Sequence, residues 1–199
     1  MTPANSLKST GISKLLIVLL QIRLVIAIIP IVFHIIPALL ANVDSVNILI
    51  GFSLQISLSL LMLIVSSIVF IIWIYRIHID LKNLFTDYPI TPGGALTRIL
   101  VPLYNVWAFP NTIYTFAEWF GEQGSVFKPV DRKLKFLIRM FYGFILASFM
   151  LNDNSSISVS ADIKPILLIL LDVAWKVLGL ILVKTMQNTV IKKRLQEVT

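Results

Sequence analysis

Ile48-Leu-Ile-Gly-Phe-Ser-Leu-Gln-Ile-Ser-Leu-Ser-Leu-Leu-Met-Leu-Ile-Val-Ser-Ser-Ile-Val-Phe-Ile-Ile-Trp-Ile-Tyr75 runs for 28 residues without one charged side chain. At about 1.5 Å per residue, a helix of that length exceeds the roughly 30 Å of hydrocarbon in a bilayer. A soluble core has no use for a helix that is apolar on every side for so long. The run predicts a membrane-spanning helix. Its end carries interface residues, Trp73 and Tyr75, followed by Arg76.

Upstream, the polar segment Met1–Lys14 precedes another long apolar run, Leu15 to Ala41. A cleaved signal would have an apolar stretch of only about 7–15 residues, so this run predicts a retained span. It contains Pro30 and Pro37, whose missing amides call for a kink or a neighbouring helix. Counting back about 20 residues from Ala41 puts Arg23 near the inner headgroups, where it is expected to snorkel. The short acidic loop Asn42–Asn47 has the length for an antiparallel helical hairpin. Ser53 and Ser57 in the second run form a small-xxx-small pair suited to helix packing.

Downstream, Arg76 to Phe85 keeps helical period but turns amphipathic, as does a helix leaving the bilayer to lie on its surface. Thr91 followed by Pro92 reads as an N-cap and first helical residue. Ala95 to Phe120 is apolar but broken by Arg98, Pro102, Asn105, Pro110 and Asn111, which predicts short helices around a break at Leu103–Phe109. After the basic stretch Gly121–Lys135 come two further apolar runs, Phe136–Leu151, which carries a second small pair at Gly143 and Ala147, and Pro165–Met186. The polar segment Asn152–Lys164 joins them.

These readings define an all-α integral membrane protein, a single membrane domain over residues 1–199. Its four transmembrane helices, near 15–41, 48–75, 136–151 and 165–186, form two hairpins around a cytosolic interfacial or re-entrant helical segment at 76–135. With both termini inside, thirteen Lys and Arg lie on the cytosolic side and only Lys164 outside. That asymmetry fixes the orientation and places the chain as a multipass protein of the cell (inner) membrane.

Composition agrees: 57% apolar residues, 14% charged and a mean hydropathy of +0.90, against about 45–50% apolar and 25% charged in soluble domains. The net charge of +7 sits beside the apolar runs, where it meets lipid headgroups; it forms no basic nucleic-acid module. The absence of cysteine removes disulfides, thiolate nucleophiles and iron–sulfur ligation.

Trp73-Ile-Tyr-Arg-Ile-His-Ile-Asp-Leu81, Tyr88-Pro-Ile-Thr-Pro-Gly-Gly-Ala-Leu96 and Val101-Pro-Leu-Tyr-Asn-Val-Trp107 follow one another in order. This series resembles a bacterial multipass membrane family, domain of unknown function 4328, whose pattern is Tyr-Arg at a helix exit followed by Pro-x-x-Asn-x-Trp. The Tyr-Pro-Ile-Thr-Pro-Gly-Gly variant is similar to cyanobacterial members, which adds the thylakoid membrane as an alternative location. The family often continues with Arg-Pro, whereas Ala108, Phe109 and Pro110 stand here. The resemblance covers about residues 70–111 and implies fold and location, with no activity, cofactor or metal.

Phosphate-binding, dinucleotide, nucleophile-elbow and zinc-protease motifs are all missing, so no catalytic residue is assigned. The candidate functional or structural residues are Arg76, Pro102, Asn105, Trp107, Asp172 and Lys176. Asn105 is expected to bridge backbone groups freed by Pro102, with Trp107 anchoring the turn at the interface. Asp172 and Lys176 share a helix face at i,i+4, and ionisable groups inside a span face a partner or a watery cavity. The leading expectation is a noncatalytic partner- or lipid-binding scaffold acting through its cytosolic segment. A small transporter or channel subunit using Asp172, Lys176, Ser59 and His34 is the alternative, and an intramembrane lipid-modifying enzyme the third. Expected partners are the bilayer and another membrane protein or a second copy of the chain; no cofactor or nucleic acid is expected.

Overall fold

The computed structural model describes the backbone of residues 7–39, 45–152 and 164–198, with side chains outside 30–39, 45–52, 102–106, 152, 165 and 198. Within these residues the chain is helical and contains no strand. Six helices follow in order: α1 Thr10–Leu39, α2 Ser45–Leu84, α3 Pro92–Leu100, α4 Pro102–Glu122, α5 Lys128–Asn152 and α6 Lys164–Val198. A 3-10 turn at Ser125–Phe127 precedes α5. Among the described residues four stretches are long and apolar enough to cross a membrane: Thr10–Ile29, Ser53–Leu84, Ser125–Leu151 and Ile166–Glu197.

Helix α1 runs through Pro30 and Pro37 as one helix, as read from the sequence. Helix α2 likewise continues past Arg76, and its amphipathic end buries Ile77, His78, Asp80 and Leu81 inside protein. The break expected at Leu103–Phe109 lies instead at the single residue Val101, which is extended (φ −83°, ψ 109°). Pro102 takes the first position of α4, where its missing amide would have been unpaired anyway. Pro110 is carried inside α4. The Thr91 cap forms as read: Gly94 N donates to Thr91 Oγ1 at 3.0 Å.

The chain folds into two compact units. The first comprises Met1–Ile17, Ser67–Met140 and Ile181–Thr199. Its core is aromatic, with Phe116, Phe120 and Phe127 in succession at centroid separations of 4.7 and 5.5 Å. Phe85 meets Trp119 and Phe120 edge-on. Lys193 and Lys192, at the end of α6, lie over Phe85 and Phe127 at 5.4 and 5.7 Å, so their charges take part in packing. Gly124, at φ 126° and ψ 170°, starts the 3-10 turn in a conformation reserved for glycine.

The second unit, Val18–Ser66 and Phe141–Leu180, holds a part of each of the four apolar stretches. Its outward faces are apolar, including Leu54, Leu58, Leu61 and Ile64 on α2, as a lipid solvent requires. Phe141 of α5 stacks on Trp175 of α6 with centroids 3.8 Å apart. Neither small pair is buried within the chain: Ser53 and Ser57 are exposed, Ser57 Oγ bonding to the Ser53 carbonyl, and a Cβ on Gly143 would meet open space.

Candidate functional site

The second unit contains a pocket of about 460 Å³ built from α1, α2 and α6. Its walls are apolar, with Ile26, Ala27, Leu60, Leu63, Leu168 and Ile169. Its polar groups are Arg23 from α1, Gln55 and Ser59 from α2, and Asp172 and Lys176 from α6. Volume and lining both fall in the range of small-ligand sites.

Lys176 Nζ and Asp172 Oδ2 form the expected i,i+4 ion pair, with side chains 12% and 54% exposed respectively. Arg23 lines the pocket, and its Nη1 donates to Ser66 Oγ of α2 at 3.0 Å. Ser66 is buried, and its own hydroxyl donates to the Leu63 carbonyl at 3.2 Å. Asp172 is the one carboxylate among the described lining residues and Lys176 already holds it, so the pocket keeps one positive charge in excess. Gln55 escaped the sequence reading although an amide in an uncharged run was a signal. Ser66 was visible only as one serine among several. His34 lies outside the residues whose side chains are described.

In the first unit, the residues of the quoted motif act as ties. Trp73 Nε1 donates to Gln187 Oε1 at 3.1 Å, joining α2 to α6. Asp80 is 2% exposed and accepts from the backbone amides of Lys8 and Ser9, both at 2.8 Å. These donors lie at the start of α1, where a carboxylate also complements the positive helix end. Arg76, one turn earlier on α2, reaches the Lys8 carbonyl at 3.4 Å. Arg76 and Asp80 thus clasp the entry to α1.

His78 Nδ1 lies 2.8 Å from the Ile74 carbonyl and must donate to it, leaving Nε2 as the acceptor of a neutral ring. Tyr88 is fully buried beside His78 and Trp119, at centroid distances of 5.8 and 5.9 Å. Burial pushes its phenol well above the usual value, partly offset by Arg98. His78 Nε2, Tyr88 Oη and Trp119 Nε1 are buried with no hydrogen-bond partner among the described residues.

Of the remaining sequence candidates, Pro102 opens α4, and Asn105 stands in its first turn with a side chain outside the described set. Trp107 is 80% exposed, near the exposed Leu100 and Val101 in sequence. Glu118 and Glu122 line a second hollow with Asp131, but Lys135 engages Glu118 at 3.3 Å and Asp131 at 2.9 Å. Among the described residues no group of three His, Asp or Glu side chains is placed to hold a metal. Compared with protein-family models, curated proteins and solved structures, the chain finds no match.

Proposed function

We propose that the chain is a noncatalytic, four-span protein of the cell (inner) membrane that binds a ligand in the pocket between α1, α2 and α6. The observation that carries this reading is the convergence of Arg23, Gln55, Ser59, Asp172 and Lys176 from three helices on one pocket. Polar groups at membrane depth are expensive, and a structural ion pair needs neither a cavity nor three contributing helices. This moves the weight from a cytosolic scaffold to a ligand-binding, transporter-like protein. The motif series supports kinship with the family that residues 70–111 resemble.

Polar access to the pocket is the test. In the cysteine-free chain, Ser59→Cys should react with a small charged thiol reagent, while Leu58→Cys, on the apolar outer face, should not. Equal silence at both positions would contradict a watery pocket.

A second reading, binding of lipid by the α3–α4 element, rests on the exposure of Leu100, Val101 and Trp107 at 56, 43 and 80%. An exposed tryptophan beside apolar neighbours suits the headgroup region. With Trp73, Trp119 and Trp175 replaced by Phe, Trp107 fluorescence should be quenched by lipids brominated near the headgroup. Quenching by an aqueous agent alone would remove this reading.

A further inference from the structure

We infer that the ligand of this pocket is an amphiphile with an oxyanion head, a phosphate or carboxylate on an apolar tail, held by Arg23. The inference rests on the pocket reading and adds the ligand's chemical class. Charge decides the head. Lys176 pairs with Asp172, and the same carboxylate also attracts Arg23, whose Nη1 donates to the neutral hydroxyl of Ser66, so two cations share one carboxylate. One positive charge in excess inside a span is a costly arrangement, and an anion bound at the guanidinium relieves it. The planar guanidinium, with its fixed fork of donors, matches the two oxygens of a carboxylate or phosphate. Ser59 and Gln55 stand on the facing helix as neutral hydrogen-bonding groups suited to the remaining oxygens.

The walls decide the tail. Ile26, Ala27, Leu60, Leu63, Leu168 and Ile169 provide apolar surface continuous with the charged group, where a small hydrated anion would gain nothing. Asp172 tunes the site in the opposite sense to Arg23. Its carboxylate opposes an incoming anion, and it is more than half exposed.

The test uses the full chain in phosphatidylcholine nanodiscs, with dodecyl phosphate, dodecyltrimethylammonium and inorganic phosphate as probes. Dodecyl phosphate is expected to bind. Arg23→Gln should weaken it about tenfold or more, roughly the 1.4 kcal/mol of one charge-assisted contact, while Asp172→Asn should tighten it. A purely structural role would weaken binding in both variants, which would overturn the assignment of Arg23. Preference for dodecyltrimethylammonium that depends on Asp172 would overturn the anion while leaving the pocket in place. Inorganic phosphate binding as well as dodecyl phosphate would overturn the tail. No response to either pocket variant with any probe would remove the pocket reading itself. Gel filtration of each variant separates loss of binding from loss of fold.

Discussion

Asp80 shows how one side chain can organise distant parts of this chain. Two charge-assisted bonds to Lys8 and Ser9 fix the start of α1 from 71 and 72 residues away. No local pattern announces such a pairing, which is why it was illegible in the sequence although Arg76, in the same motif, stood out. Asp80→Asn replaces an acceptor with a donor that faces an amide. It should lower stability by about 1.5–3 kcal/mol, the range for hydrogen bonds to charged groups. The loss should appear in detergent unfolding, together with faster amide exchange at residues 8–13. Unchanged exchange there would show that α1 starts without the clasp. Tyr88 and Gln187 make a contrasting pair. The Tyr88 hydroxyl is buried and makes no bond among the described residues, so Tyr88→Phe should be neutral or stabilising. Gln187→Leu removes the acceptor of the Trp73 indole and should lose about 1–3 kcal/mol. The same unfolding experiment compares the two, and a larger loss for Tyr88→Phe would mean that its hydroxyl has a partner.

The helices were more legible than their joints. The four apolar runs and the Thr91-Pro92 start could be read because length, hydropathy and capping are local properties. The break near Pro102 was misplaced because proline signals a helix end and a helix start equally well. Here it starts α4, so the interruption shrinks to Val101. The Asp172–Lys176 pair was legible from spacing alone; the Arg23–Ser66 bond was not, because it joins two different helices. Within α6 the ion pair makes a prediction of its own. Lys176→Ala leaves Asp172 without its counter-charge and should destabilise more than the double variant Asp172→Ala, Lys176→Ala. Breaking a buried pair loses about 3–5 kcal/mol in soluble proteins, while removing both partners can be nearly neutral. The half-exposed Asp172 places this case at the lower end. Equal losses in single and double variants, by unfolding in mixed micelles, would show that the two residues do not depend on each other.

For the whole molecule, a run of apolar residues tells which segments cross, and the flanking charge tells which way. The proposal that both termini face the cytosol rests on that charge, thirteen basic residues against Lys164. Among the described residues four helices are long and apolar enough to cross a membrane. The pocket was less legible at this scale. Its charged residues could be named from the sequence, but their meeting depends on three helices whose packing no single run encodes.

Cysteine accessibility tests the four-span claim most directly, because the chain has no cysteine of its own. Single cysteines at Asp44, Ser156, Lys128 and Lys193 are exposed to an impermeant maleimide on intact cells. Asp44→Cys and Ser156→Cys should label from outside, and Lys128→Cys and Lys193→Cys should label only after the membrane is opened. External labelling at Lys128 would make residues 95–120 a crossing and contradict the four-span account.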